Sequence, residues 1–415
     1  MPEIASRRLG AENFTYCSDS FFHMSVLGFL CHGRLLVRWV LSGFLAFASF
    51  SAAATSWTLL DSTSGMILAA KNDDEVVNPG DFAKLMTIYT ALRLTDGEND
   101  RLLKKIPISS AAASIRGQQR IYLSAGQSVE LGILLRAVAV TGADDACRAL
   151  ADALAASRSD FVADMNRFAH ELQLTQSLFV SPTAAAANRS SARDLARLTL
   201  ALRHDYPEVF RWFSEKTFTY LGNTQRSRNI LLWRSSETDG VMSSQNQTSF
   251  IASSVYHKSD SENDRHLVVV YLDDKKSRSS DAAANAVLSL FVKGRTDFET
   301  IRLFKANDPI AKLEVLGGNR DRIEVQATDD VWVSISKKDL ESRGTGGLST
   351  TIEHLQPFWA PLKKNTVVAT LHVDFEGRRL ASFPLVARYD IGEGSSLSRF
   401  IDSVRLKISA EPVHP

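Results

Sequence analysis

Residues 56–92 read SWTLLDSTSGMILAAKNDDEVVNPGDFAKLMTIYTAL. Two short apolar runs, Trp57–Asp61 and Met66–Ala70, flank Ser62-Thr63-Ser64-Gly65, which predicts a β-hairpin. Asn78-Pro79-Gly80 then marks a turn, and Asp81 follows it directly. A short carboxylate at that place predicts an N-cap for a helix starting at Phe82. Leu85, Met86, Tyr89 and Leu92 recur at helical spacing, so this helix buries one face. A hairpin feeding a helix through a tight turn is the start of a mixed α/β layer, and the rest of the chain extends it.

A strongly apolar stretch at 129–154 predicts a long helix. Residues 158–173 predict another, with Phe161, Met165, Phe168 and Leu172 on one face, and 191–203 a third. Strand-like runs follow at Phe218–Tyr220, Ile230–Trp233, Phe250–Val255 and His266–Leu272. Helices followed by strands with no β-α-β rhythm predict a helical lobe packed on an antiparallel sheet over 55–300. From residue 301 the texture changes. Leu313–Leu316, Ile323–Ala327, Val331–Ile335, Thr366–Val373 and Ala381–Val386 are short strands between Gly, Asn, Asp and Lys turns. They predict an all-β sandwich over 301–392. In the tail, 393–415, Leu397, Phe400, Ile401, Val404 and Ile408 share one helical face of residues 395–408. This stripe suits a helix lying on a membrane surface and equally one docked on its own protein.

At the other end, residues 40–54 are small and apolar, follow Arg34 and Arg38, and end in Ala52-Ala53-Ala54. A basic flank, a short apolar core and a small-residue site predict a secretory leader over 1–54, cleaved before Thr55 or kept as an anchor. Met24 is an alternative start. Removal of the leader takes away Cys17 and Cys31 and leaves Cys147, which reads as a small buried hydrophobe and has no partner for a disulfide. These features predict a periplasmic protein. With 48 Lys+Arg against 47 Asp+Glu, the net charge is +1, which argues against nucleic-acid binding by bulk electrostatics. The sequence has no glycine-rich phosphate loop, no Gly-x-Ser-x-Gly and no Cys-x-x-Cys, and its nine His are scattered. No cofactor and no metal are expected.

The ordered set SWTLLDSTSGMILAAKNDDEVVNPGDFAKLMTIYTAL, LSAGQSVELGILLRAVAV, DDACRALADAL, SSARDLARL, RNILLW, TDG and WAPLKKNTVVATLHVDFEGRRLASFPLVA resembles the serine D-alanyl-D-alanine carboxypeptidases, the low-molecular-mass penicillin-binding proteins. The likeness covers about residues 56–390. It implies an α/β penicillin-binding/β-lactamase-like domain followed by a β-sandwich, and a peptidoglycan stem peptide as substrate. It also implies three motifs, each altered here.

Where the family has Ser-x-x-Lys, this chain has Asp81-Phe82-Ala83-Lys84. The lysine stays, and the nucleophile becomes a carboxylate able to pair with it. Where the family has Ser-x-Asn, alignment without gaps on DACRALAD gives Gly142-Ala143-Asp144; a shift of one residue gives Thr141-Gly142-Ala143 and keeps a hydroxyl. Where the family has Lys-Thr-Gly after Asp-Gly, Asp239-Gly240-Val241 leads into Met242-Ser243-Ser244, and the carboxylate-binding cation is lost. No Ser-x-x-Lys occurs elsewhere in 56–300; Ser109, Ser110, Ser190 and Ser191 read as helix caps or surface groups. The degenerate positions are therefore Asp81, Lys84, Gly142, Asp144, Met242, Ser243 and Ser244, and those left for binding are Lys84, Thr141, Asp144 and Ser243. The leading expectation is a catalytically inactive relative that acts in cell-wall homeostasis by binding peptide or by scaffolding wall enzymes. Two rivals are a hydrolase with an altered mechanism using Asp81 or Thr141, and an interaction module working through the β domain.

Overall fold

The computed structural model describes residues 55–409 apart from 118, 186, 257–263, 274–278 and 355–357, and only the backbone of 398 and 404–409. The leader with Cys17 and Cys31 lies outside the described residues, as do the side chains of Val404 and Ile408.

The expected hairpin is present as β1 (Ser56–Asp61) and β2 (Met66–Lys71). It joins β3 (Thr238–Ser243), β4 (Phe250–Tyr256) and β5 (Arg265–Leu272) in one antiparallel sheet of order β2-β1-β5-β4-β3. The first strand of the domain thus pairs with its last. Both faces of the sheet are covered, and the alternation of side chains along a strand sorts them. Leu267, Val269 and Tyr271 of β5 pack with Ala283, Val287 and Phe291 of one helix, Ser280–Asp297. Val268, Val270 and Leu272 face a larger helical layer on the other side.

At the centre of that layer is α1 (Ala83–Leu94), with every residue from Ala83 to Leu92 buried. A helix enclosed on all sides needs neighbours all round. They are α2 (Leu131–Thr141), α3 (Asp144–Leu154), α4 (Arg158–Glu171) and α5 (Ala192–Asp205). The single helix predicted over 129–154 is therefore two. Residues 128–130 are a short strand paired with 105–107, and the chain breaks at Gly142, whose φ of +70° is left-handed. That conformation ends a helix, and glycine adopts it without strain. The strand expected at Ile230–Trp233 is also corrected. Leu231–Arg234 is a helical turn, started by Asn229, whose Oδ1 accepts the Leu231 N–H at 3.1 Å. A short apolar run does not by itself tell strand from helix. Ser109 and Ser191 are N-caps, accepting from Ala112 N and Asp194 N. Ser190, by contrast, is buried and shares a hydrogen bond with Ser177 Oγ at 2.8 Å. Cys147 is buried and free, and burial pushes its thiol pKa up, as its reading as a core residue requires.

The β domain holds a six-stranded sheet that includes 313–316, 323–326, 367–373 and 381–386, and a two-stranded sheet of 298–304 with 331–336. One apolar core, with Ile323, Val325, Val333, Val373 and Leu385, lies between them. Strand 348–353, on the edge of the larger sheet, is exposed and polar and has no clear sequence signature. The tail helix spans Ser396–Ser409. Asp402 anchors it by accepting the Gly317 N–H at 2.7 Å, while Leu397, Phe400 and Ile401 point to solvent. Among the described residues, no helix is long and apolar enough to cross a membrane.

The two domains meet at Asp61, which is fully buried. Its Oδ2 accepts from Arg265 Nε at 2.7 Å, Thr300 Oγ1 at 2.6 Å and Ser334 Oγ at 3.0 Å, and its Oδ1 accepts the Thr63 N–H at 2.9 Å. The hairpin, β5 and the β domain are joined through this one carboxylate. Asp61→Ala leaves the Arg265 guanidinium buried without its counter-ion. Urea unfolding of this variant is expected to show a loss of about 3–5 kcal/mol, with the domains melting in separate transitions; a single transition at wild-type stability contradicts the assignment.

Candidate active site

The turn at Asn78 sets the site. Asn78 Oδ1 accepts the Gly80 N–H at 2.8 Å, and a 3-10 turn, Gly80–Phe82, runs straight into α1. One helical turn separates Asp81 from Lys84, so their side chains meet. The expected N-cap is not made: Asp81 caps no helix N–H. Its Oδ1 accepts from Lys84 Nζ at 2.8 Å and its Oδ2 accepts the Gln245 N–H at 3.0 Å. The physical reason is the ammonium beside it. Lys84 is 0% exposed, and a buried cation binds a carboxylate more strongly than a neutral amide does.

Lys84 Nζ also donates to Gln119 Oε1 at 2.6 Å and to the Gly142 carbonyl at 2.8 Å. Those three bonds use all of its N–H groups. Asp144 Oδ1 lies 2.9 Å away as an ion pair without a directed hydrogen bond. Burial by itself lowers the lysine pKa. The charges of Asp81 and Asp144 outweigh it, and the net shift is upward; Cys147, being neutral, adds nothing at ordinary pH. The cluster thus favours the protonated form of Lys84.

Of the two registers for the second motif, the one without gaps, Gly142-Ala143-Asp144, has two residues in contact with Lys84. Thr141 Oγ1 donates to Ala137 O at 2.8 Å, within its own helix. At the third motif, Gly240 has φ +137°, and a Cβ there would lie 2.9 Å from the Phe213 backbone; no other residue fits. Met242 is buried in the core against the helical layer. Ser243 Oγ is buried and has no hydrogen-bond partner among the described residues. Ser244 Oγ is engaged with Asn246 Oδ1 and the Ser249 N–H, closing a turn.

Asp81, Lys84, Gly142 and Asp144 are thus brought together, and Thr141, Met242 and Ser243 line the same small cavity, whereas Ser244 does not. The cavity offers about 20 Å³ to the centre of a water-sized solute, room for about one water. Gln119, Arg228, Asn229 and Gln245 belong to the site and carry no motif; Arg228 lines the cavity with one buried guanidinium nitrogen that has no hydrogen-bond partner among the described residues. Gln119 is positioned by its loop, which Asp145 anchors by accepting the Ile121 and Leu123 N–H groups, so only the fold brings it to Lys84.

Removing the cation from this cluster leaves two carboxylates facing each other. Lys84→Met is expected to cost about 3–5 kcal/mol in urea unfolding at pH 7. The folded-state pKa of Lys84 lies above the unfolded value of 10.5. Its contribution is therefore complete below pH 10.5 and falls as pH rises through the folded value. The gap between wild type and Lys84→Met should narrow above pH 10.5, and a gap that widens there contradicts the ion cluster.

Comparison with known proteins agrees with this geometry. The D-alanyl-D-alanine carboxypeptidase family model matches residues 45–276, and that of the penicillin-binding protein 5 C-terminal domain matches 298–393. D-alanyl-D-alanine carboxypeptidase DacC of Escherichia coli is 31% identical, over 85% of this chain and 88% of that one. The structure of penicillin binding protein 5 from Haemophilus influenzae superposes with a TM-score of 0.67 at 26% identity, over 82% of this chain and 98% of that one. Penicillin binding protein 6B from Escherichia coli gives 0.59 at 25% identity, over 81% and 95%. With both domains matched in order, and a lysine still seated one helical turn after the place of the missing serine, this chain belongs to the D-alanyl-D-alanine carboxypeptidase family.

Proposed function

We propose that this chain is a catalytically silent member of its family, exported to the periplasm, where it serves peptidoglycan homeostasis as a scaffold for cell-wall enzymes. The observation that carries the reading is the state of Lys84. All three of its N–H groups are bound, the carboxyl groups of Asp81 and Asp144 both lie within 2.9 Å of it, and the second oxygen of Asp81 is tied to the Gln245 amide. No hydroxyl stands where a nucleophile is needed. The cavity has room for about one water, whereas peptide-sized ligands need several hundred Å³, which favours scaffolding over peptide binding. The position of the lost carboxylate-binding cation is filled by the buried thioether of Met242.

Purified protein incubated with fluorescent penicillin should give no covalent band. D-Ala release from a pentapeptide should fall short of an active family member by about 10⁴-fold or more. Asp81→Ser alone should restore neither, because Met242 and Asp144 remain. A covalent band that Lys84→Ala removes overturns the reading.

The tail supports a peripheral contact with the membrane, since Leu397, Phe400 and Ile401 are exposed together beside Arg399. Sedimentation with vesicles containing anionic lipid should carry the full chain down, and the triple substitution L397S/F400S/I401S should leave it in the supernatant. Equal sedimentation of both removes this contact from the proposal.

A further inference from the structure

A second cavity, of about 510 Å³, opens between α5, the turn at Pro207–Ser214, and strands β3 and β5. Arg203, Arg211 and His266 line it, together with Phe210, Pro207 and Asp239. It shares no lining residue with the family's active site.

The donors in this cavity outnumber their acceptors. The Arg203 side chain is 22% exposed and lies over the Phe210 ring, 5.4 Å from its centroid. A guanidinium has five N–H groups. Among the described residues its one ion partner is Asp239 Oδ2 at 3.6 Å, beyond direct hydrogen-bond length. The other oxygen of Asp239 is taken by Ser253 Oγ. His266 Nδ1 is buried without a hydrogen-bond partner among the described residues. Arg211 adds a second guanidinium at the exposed rim. The other acid of the lining, Glu208, is paired with Arg101 at 2.7 Å. Donors from a helix, a turn and a strand thus face one space, and His266 Nδ1 is buried without a partner among the described residues, which is costly.

We propose that this cavity binds a tetrahedral oxyanion, a phosphate or the phosphate group of a small phosphomonoester, held by Arg203 and Arg211 with the His266 imidazole in its wall. Two guanidinium forks and an imidazole on different elements suit an anion with acceptors in several directions, and Arg–phosphate pairs are among the strong charge-assisted contacts. The cavity is larger than a free phosphate, so an organic body has space against Phe210 and Pro207. Asp239 lies two residues before Val241 on β3, so occupancy stiffens the strand that ends at the old active site.

The test is thermal unfolding of the full chain titrated with inorganic phosphate, glycerol 3-phosphate or acetate, with ionic strength held constant by chloride. Phosphate should raise Tm saturably, as a ligand of the folded state does, and acetate should not. Glycerol 3-phosphate binding more tightly than phosphate identifies the phosphomonoester as the ligand; equal binding identifies free phosphate. Arg211→Gln, at the exposed rim, and Arg203→Gln should each weaken the apparent affinity by about tenfold or more. Arg136→Gln, which breaks a surface pair with Glu215, should leave it unchanged. A response to phosphate no greater than to acetate, or titrations of Arg211→Gln that match wild type, overturns the proposal; Arg211→Gln decides the matter if Arg203→Gln does not fold.

Discussion

A lysine ammonium with no access to water is the constraint on which the centre of this protein depends. Moving such a charge out of water costs several kcal/mol even after relaxation, so anionic and carbonyl oxygens must surround it. Lys84 collects them from four places: Asp81 on its own first turn, Gln119 from a loop, the Gly142 carbonyl at a helix break, and Asp144 at the next helix start. Through the other oxygen of Asp81 the cluster also holds Gln245, just beyond β3. Five segments of the chain are thus pinned to one nitrogen and its immediate partners. Gly142 has to be left-handed so that its carbonyl turns toward the cluster while the chain enters α3.

The same arrangement is the physical basis of the proposal that this family frame is catalytically silent. A lysine activates a neighbouring hydroxyl only when it can give up its proton near working pH. Replacement of that hydroxyl by the Asp81 carboxylate, with Asp144 close by, stabilises the protonated lysine. On the proposed reading, nucleophile and base go together, through one electrostatic change. On the facing strand Met242 packs an apolar side chain into the core, while Arg228 lines the cavity beside it. The result is a small polar cluster that holds secondary structure together, much as Asp61 holds the two domains.

Much of the fold was legible in the sequence. The β1–β2 hairpin, α1, α4, α5 and the five β-domain strands expected follow from period and turn chemistry. Where the reading failed, a local signal was absent or ambiguous. Gly142 lies within an apolar run that continues as a helical pattern on both sides, and Ile230–Trp233 is apolar throughout, which suits strand and helix alike. Strand 348–353 is polar because it lies on a sheet edge. Asp81 carries a strong cap signal, and a tertiary partner outcompeted it.

The sequence by itself determined the family frame, and it carries neither of the family's two serines, nor its asparagine, nor the lysine of its third motif at the positions that align with them, because those are matters of residue identity at fixed spacing. Only the tertiary structure decided what the survivors do. Gln119 lies 35 positions from Lys84 and Gly142 lies 58, and Gln245 lies 164 from Asp81. Contacts across such distances carry no periodic signature. They form because a buried charge must find oxygens, and the fold determines which oxygens are within reach.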